Sequence, residues 1–379
     1  MTEFKTLEKI ANHLKSNAIK KADKNIKREE KKKKIVVEVI FAHNGVGKTR
    51  LSGAFKELAT EKSDTLYFNA FTEDLFHWDN DLEHNTTRVL QLKESKFFKV
   101  FEGRGFDIET RVREFLSRYA DFDFSIDLKA KKVSFSREII KEGKKKKVED
   151  IKISRGEENI FVWSFFLAIA GLAIDNDENY KWVKTIYIDD PISSLDDNNV
   201  IIVASHLAQL IKDSKDKDKK FIISTHHGLF YNVIVNELRG ADKYLLTKNG
   251  ENYKLEALKS DTPFYQHIGI LKHLRAVAQS GEIYTYHFNL LRNVLEKTAT
   301  FHGFNKFSDC IKVEGDDADK SIHARRINIL SHGNYSIFEP QEMVEENKEH
   351  FKTVLENFIK EYGFNPELFP ESTTTEKPL

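Results

Sequence analysis

The chain has almost no cysteine. Cys310 stands alone among 379 residues, so no internal disulfide can form. The start, from Met1 to Lys21, is mixed polar and charged and carries no secretory signal, and the expectation is a reducing, cytoplasmic setting. Net charge is also missing: 60 Lys and Arg balance 60 Asp and Glu, which removes any global electrostatic argument for a polyanionic partner. Long apolar runs are scarce. The longest uncharged stretch, Asn159 to Ile174, is short for a bilayer span and punctuated by Phe and Trp, so it reads as a buried core helix and no membrane partner is expected. No internal repeat is visible. The roughly one hundred residues between Thr49 and Ser154 hold no sustained heptads, which excludes long coiled-coil arms.

What is present is a 40% hydrophobic chain, able to bury a large core and long enough for two domains. Residues 1–34 are polar, with helical spacing of Leu7, Ile10, Leu14 and Ile19, and end in the run Lys31 to Lys34. They read as a solvated helix and linker. Apolar strands are expected at Ile35 to Phe41, Thr65 to Asn69, Thr185 to Asp189 and Phe221 to Ser224. Helices are expected at Thr87 to Tyr119, Glu157 to Ile174 and Asn199 to Ile211, and a charged hairpin turns at Gly143. Strands alternating with helices indicate a parallel α/β sheet. Beyond about Gly250 the pattern is helical, at Gln266 to Ala278, Tyr284 to Phe301 and Pro340 to Tyr362, with no convincing strand. The expected domains are therefore 35–255, an α/β nucleotide-binding head, and 256–379, a mainly helical domain with a disordered tail from Glu371.

Asn44-Gly45-Val46-Gly47-Lys48-Thr49 follows a strand and precedes a helix. Its glycines let backbone N–H groups face phosphates, Lys48 can reach the β/γ phosphates, and Thr49 can hold Mg²⁺. The first glycine of the usual pattern is replaced by Ala42. The strand Thr185 to Asp189 delivers two carboxylates at its C-terminal end, the ligand-binding edge of such sheets. There Asp189 suits Mg²⁺, and Asp190 suits orienting or deprotonating the attacking water. Ser154-Arg155-Gly156-Glu157, Ser193-Ser194-Leu195-Asp196 and His226 follow in the order of the signature, D-loop and switch histidine of ABC-type ATPases, which this part of the chain resembles. The resemblance implies an ABC-type P-loop NTPase fold using ATP or GTP with Mg²⁺. Ser154, Gly156 and Asp196 would then close on nucleotide held by a second copy, so at least a homodimer is implied. Ser154 and Gly156 would cap the helix that follows and aim its N-terminus at a phosphate.

Longer segments carry a more specific likeness. Asn69 to Phe76, the signature neighbourhood through Trp163, Ile188 to Asp197, and Tyr286-His287-Phe288-Asn289-Leu290-Leu291-Arg292-Asn293 resemble the anticodon nuclease family PrrC. That resemblance implies a C-terminal ribonuclease that cuts a lysine tRNA 5′ of the wobble base with an Arg, Glu and His triad. The triad falls on Arg292, Glu296 and His332. It also implies that the head restrains the nuclease, and that a type I restriction-modification complex silences it as a phage-defence toxin. Arg292 and Glu296, four apart on a helix, share one face and can address one phosphate. Cleavage by the 2′-hydroxyl needs a base, an acid and a cation, and no metal; Glu296 as base and His332 as acid is the preferred order, with the reverse open. The stretch Lys259-Ser260-Asp261-Thr262-Pro263-Phe264-Tyr265 matches a region that meets the anticodon loop. Lys259 suits phosphate, Asp261 a base edge, and Phe264 or Tyr265 a stacked base. The same stretch also reads as a helix start, with Asp261 or Thr262 as cap and Pro263 in the first turn. The competing functions are a defence ATPase that activates a separate effector and a non-catalytic repair-type scaffold.

Overall fold

The computed structural model describes residues 2–26, 35–58, 64–69, 76–80, 88–92, 108–127, 129–141, 144–175, 177–192, 197–214, 218–259, 264–311, 317–332 and 342–368. The chain forms two compact units. One comprises Leu7–Ala42 and Gly47–Tyr244, and the other Met1–Thr6, His43–Val46 and Leu245–Leu379.

In the larger unit, β2 (Val36–Phe41), β3 (Thr65–Asn69), β9 (Thr185–Asp189) and β10 (Lys220–Thr225) pair in the order β2-β10-β9-β3, all parallel. Their apolar, β-branched runs are buried on both faces, as a parallel sheet covered by helices requires. Register places Ser224 and Asn69 on either side of Asp189 at the C-terminal sheet edge. A second, antiparallel sheet runs β4 (Phe76–Asn80), β5 (Arg88–Leu92), β7 (Lys132–Lys141), β6 (Phe122–Asp127), with β8 (Lys144–Val148) on β7. Of the segment expected to be helical from Thr87, Arg88–Leu92 is a strand and α3 (Ile108–Leu116) is a helix; residues 93–107 lie outside the described residues. The Lys-rich strands β7 and β8 pair with Lys141 opposite Lys144; Gly143, the expected turn, lies outside the described residues.

The apolar stretch forms α4 (Arg155–Ile174). Its Phe161 meets Phe124 and Phe135 of the antiparallel sheet at ring distances of 5.0 and 5.2 Å, while its Trp163 meets Phe68 of the parallel sheet at 5.1 Å. A helix apolar on all sides is thus used up by two sheets. Gly156–Ile174 has the length and composition to cross a membrane, and 83% of its most apolar window is buried inside the fold. The helices α5 (Asp197–Lys212) and α6 (Gly228–Glu237) pack on each other, and α2 (Lys48–Glu57) packs on α1 (Leu7–Ile26).

The reading of this N-terminal helix as solvated is corrected for residues 7–14. In α1, Leu7, Ile10, Ala11 and Leu14 are buried. Beneath them Lys220 Nζ donates to the Leu14 carbonyl and pairs with the buried Glu38 at 3.0 Å. The charged residues of α1 dominate its composition while four apolar positions on one face decide its placement.

The chain passes between units within β11 (Asp242–Asn249). A turn at Gly250, in the left-handed region with φ 55°, leads into β12 (Asn252–Ala257), which pairs antiparallel with β1 (Thr2–Phe4). This strand corrects the expectation of none beyond Gly250, and a boundary at 255 would cut through it. The rest of the smaller unit is helical: α7 (Gln266–Ser280), α8 (Thr285–His302), α9 (Asp317–His332) and α10 (Glu345–Glu361). α8 packs on α7 and α9, and α10 on α7. Phe288 meets Phe351 at 5.1 Å in the core of this bundle. The tail from Glu371 lies outside the described residues.

Candidate functional site

The glycine loop leaves the end of β2, where Ala42 N–H donates to the Thr225 carbonyl at 3.0 Å. Gly45 and Gly47 have φ of 81° and 106°, a region where a side chain is strained, and this is why the loop needs glycine there. Gly47 is the N-cap of α2 and supplies no side-chain cap, as at a helix start that faces an anion. Asn44 and Thr49 are exposed beside it. Lys48 is nearly enclosed, its side chain 7% exposed, with Nζ 3.7 Å from Asp190 Oδ2. Burial lowers its pKa, and the charges of Asp190 and Asp189 oppose that.

Asp189 is fully buried. Its Oδ1 accepts from Ser224 Oγ at 2.6 Å and its Oδ2 from Ser52 Oγ at 3.2 Å. Burial raises its pKa, helped by the neighbouring Asp190 charge and opposed chiefly by the Ser224 bond. Asp190 sits at φ 51°, a strained position for a residue other than glycine. Several bonds hold it there. Its N–H donates to the Ser224 carbonyl at 2.8 Å, Oδ1 accepts from Thr225 Oγ1 and the His226 N–H at 3.3 Å each, and Oδ2 lies 2.5 Å from His226 Nδ1. Burial alone would raise this carboxyl; the His226 bond and the charges of Lys48 and His226 hold it below the usual aspartate range.

The structure therefore brings Lys48, Asp189, Asp190 and His226 together as expected from the order of the motifs. It adds Ser52, Ser224 and Thr225, which sequence reasoning missed. The signal for Ser52 was its place one turn beyond Lys48 on α2, and that for Ser224 was its register opposite Asp189. Hard oxygen groups beside a buried lysine and two left-handed glycines fit a magnesium-bound nucleoside triphosphate.

Ser154 caps α4 as expected: Glu157 N–H donates to Ser154 Oγ at 3.3 Å and Glu157 Oε2 accepts from Ser154 N–H at 2.7 Å. Ser154 and Gly156 line a cavity of about 570 Å³ together with Arg118, Tyr119 and Asn199. Asp196 lies outside the described residues.

In the smaller unit, Arg292 Nε donates to Glu296 Oε1 at 2.8 Å along α8, with side chains 18% and 42% exposed. Phe307, not anticipated from the sequence, lies beneath the guanidinium at 5.3 Å. Glu296 lines a cavity of about 580 Å³. His332 is the last residue of α9, and its side chain is outside the described residues. His287, the nearest histidine to the pair in sequence, is excluded as a reacting group. It is fully buried, and its Nδ1 accepts from the Tyr284 N–H at 3.0 Å.

Lys259 is exposed, and Asp261 lies outside the described residues. The expectation that Asp261 or Thr262 caps the next helix is corrected, because α7 starts after Tyr265, which has helical dihedrals and no side-chain cap. Phe264 adopts φ 61°, a true outlier for a bulky residue. It stacks on His267 at 6.1 Å and meets Phe301, 72% exposed, at 6.4 Å. The apolar ring pair is thus partly open to solvent.

A family model described as an AAA domain matches residues 110–360. An anticodon nuclease of Escherichia coli is 33% identical over 401 residues, which cover 95% of this chain and 98% of that protein. Among solved structures, the SMC head domain from Thermotoga maritima is 14% identical, with a TM-score of 0.32 over 59% of this chain and 91% of that one. An Smc head with coiled coil and joint from Pyrococcus yayanosii is 16% identical, with a TM-score of 0.29 over 41% of this chain and 27% of that one. Those two scores are too low to carry an argument. Identity spread over nearly the full length of both proteins does carry one: the chain belongs to the anticodon nuclease family, with an AAA-type nucleotide-binding domain.

Proposed function

We propose that the chain is a tRNA anticodon endoribonuclease whose cutting is governed by nucleotide turnover in its head. The observation that carries this is the Arg292–Glu296 bond of 2.8 Å at the edge of a cavity wide enough for a nucleotide, in a chain that aligns end to end with an anticodon nuclease. The substrate is a tRNA of the lysine type, cut 5′ of the wobble base.

Glu296 takes the proton of the 2′-hydroxyl, and the 2′-oxygen attacks phosphorus. The bond to the 5′-oxygen breaks as His332 protonates that oxygen, and Arg292 offsets the charge gathered on the phosphorane. The products are a 2′,3′-cyclic phosphate and a 5′-hydroxyl, and no metal enters this reaction. Lys259, Asp261, Phe264 and Tyr265 hold the anticodon loop, the two aromatic residues by stacking.

In the head, Asn44, Gly45, Gly47 and Lys48 hold the phosphates of ATP or GTP, and Thr49 and Asp189 hold magnesium. When bound, the ion neutralises phosphate charge. Asp190, positioned by His226, orients the attacking water. Ser154, Gly156 and Asp196 meet the nucleotide of a second copy, which makes the working form at least a homodimer. A type I restriction-modification complex in the cytoplasm is the partner that holds the toxin silent.

The test is incubation of the purified full chain with total tRNA, followed by mapping of the ends. One nick in an anticodon loop, with a cyclic phosphate and a 5′-hydroxyl, is expected. A 5′-phosphate product would sink the mechanism, and the absence of any nick would favour an ATPase that works through a separate effector.

A further inference from the structure

The cavity beside Glu296 holds more chemistry than the Arg292–Glu296 pair uses. It is bounded by the C-terminal half of α8, the loop that follows Gly303, and the middle of α9; Glu296, Phe304, Lys306, Phe307, Ser308 and Arg325 are among its lining residues. Two cations therefore reach it from different elements. Neither makes an ion pair with a carboxylate among the described residues, although nearby basic residues do: Arg326 bonds Glu346 at 2.7 Å and Arg292 bonds Glu296. Asp309, the acid closest to Lys306 in sequence, accepts from the Lys306 backbone N–H at 3.2 Å. Basic side chains that converge on a concavity and have no carboxylate partner among the described residues are suited to anions, and phosphate oxygens suit them best. Aromatic surface stands beside them. Phe304 is exposed and stacks on His302 at 6.0 Å and 14°, and Phe307 underlies Arg292. Cations for phosphate, rings for a base and the Ser308 hydroxyl for an edge make up the recognition set of an unpaired nucleotide. About 580 Å³ lies within the ~300–1,000 Å³ usual for small-ligand sites.

We infer that this cavity seats the RNA nucleotide adjoining the scissile phosphate, with Lys306 and Arg325 on its phosphate and Phe304 against its base. The inference rests on the tRNA-cutting reading and adds a subsite to it. Lys306 and Arg325 are binding residues: they hold the RNA phosphate equally in the ground and transition states, and they move no proton.

The experiment compares the full chain with its Lys306→Ala/Arg325→Ala double variant, using tRNA cleavage at several salt concentrations and fluorescence anisotropy with a labelled anticodon stem-loop. Both substituted side chains are exposed and lack an ion pair among the described residues, so the fold should persist, and nucleotide hydrolysis serves as the check. KM and the stem-loop Kd should rise about tenfold or more, while kcat at saturation stays within roughly threefold. The salt slope should fall by about 0.7, the single-strand increment for the one phosphate the two cations share. Lys306→Arg/Arg325→Lys should restore most of the affinity. A parent that cuts, alongside a double variant with unchanged KM and slope, overturns the inference and leaves the nuclease reading standing. A parent that makes no nick overturns the nuclease reading, and the stem-loop arm still decides the subsite: equal binding by the two chains rejects it. A double variant that loses affinity for ATP and keeps it for the stem-loop also rejects it.

Discussion

Asp190 and Glu296 each face a basic partner in opposite surroundings. The Asp190 side chain is 12% exposed and is shared by Lys48, Thr225 and His226, whereas the Glu296 side chain is 42% exposed and is held by Arg292. The head fixes its charges before any ligand arrives, since a buried carboxylate must be fully bonded to stay charged. At the Arg292–Glu296 pair the helical unit holds its charges near the surface, with a carboxylate still open to solvent. One site is built by the fold and the other is completed by its substrate, and this difference can be broken or sharpened by experiment.

Acid should separate the two units most strongly. In the helical unit, burial pushes His267, His273 and His350 down to about 4, aided by the charges of Lys297, Lys254 and His323 respectively, and it pushes His287 well below the usual value. Among the described residues of the larger unit, one histidine, His206, is lowered in this way, by burial and by Arg118. A histidine with a depressed folded pKa contributes stability that is full above ~6.5 and is lost as pH falls toward the folded value. Each can cost up to about 1.4 kcal/mol per pH unit in that window. Asp190 is lowered too, but as a carboxylate it loses its contribution only below ~3.9. Trp78, Trp163 and Trp182, all the tryptophans of the chain, belong to the larger unit, so indole fluorescence follows that unit alone. From pH 6.5 to 5, helix ellipticity should be lost at lower temperature while the fluorescence midpoint moves less. Coincident shifts of the two signals would remove the distinction.

Asp190→Ala comes next. It removes the carboxylate 3.7 Å from the ammonium of the nearly enclosed Lys48, and removing one partner of a buried ion pair costs about 3–5 kcal/mol. Urea unfolding followed by indole fluorescence should show that loss, together with abolished nucleotide hydrolysis. Asp190→Asn should be milder in stability, because asparagine tolerates the left-handed backbone at this position, and it should bind nucleotide without turning it over. Lys48→Ala should remove phosphate binding. An Asp190→Ala chain as stable as the parent would mean that water, and not the fold, solvates Lys48.

Glu296→Ala and Arg292→Ala should show the reverse balance. A half-exposed pair contributes at most about 1 kcal/mol, so unfolding should hardly change, while tRNA cutting should fall about a hundredfold or more. Nucleotide hydrolysis should be unaffected. His332→Ala should lose cutting in the same way. If it still cuts, the acid is not His287, whose ring is enclosed in the core, and His323 becomes the residue to replace, with its Nδ1 2.6 Å from His350 Nδ1.

How far these sites could be read from the sequence follows the same division. The edge of the parallel sheet was legible because three apolar runs end abruptly in Asn44 to Thr49, Asp189-Asp190 and His226, and that edge is where such sheets bind ligands. The Arg292–Glu296 pairing was legible from helical spacing. What failed was local composition. In β12, Lys254 and Glu256 alternate with buried Tyr253 and Leu255, and these charges hid a two-residue alternation. Arg88–Leu92 looked helical because a five-residue strand is too short for its period to dominate. α9 was missed because it shows little apolar periodicity, and with it went the far wall of the cavity beside Glu296.

Ser154→Ala is the smallest change and compares the N-termini of α4 and α8. Both start with a side chain three residues on that accepts from the cap backbone N–H: Glu157 for Ser154 at 2.7 Å and His287 for Tyr284 at 3.0 Å. Substituting Ser154 removes the longer bond of the α4 box, at 3.3 Å, and keeps the Glu157 bond, so the cost should be near the low end for a lost cap, about 0.5–1 kcal/mol. That cost should not vary between pH 6.5 and 5, because Glu157 is held below the usual carboxylate range: burial pushes it up, and the Ser154 N–H and Arg137 outweigh that. Hydrolysis is where the substitution should speak. If Ser154 meets the nucleotide of a second copy, Ser154→Arg should abolish turnover with little loss of stability, and mixing it with Lys48→Ala chains should restore one working site per dimer. Mixed chains as inactive as either alone, or light scattering that shows monomers with and without nucleotide, would confine Ser154 to its role as a helix cap.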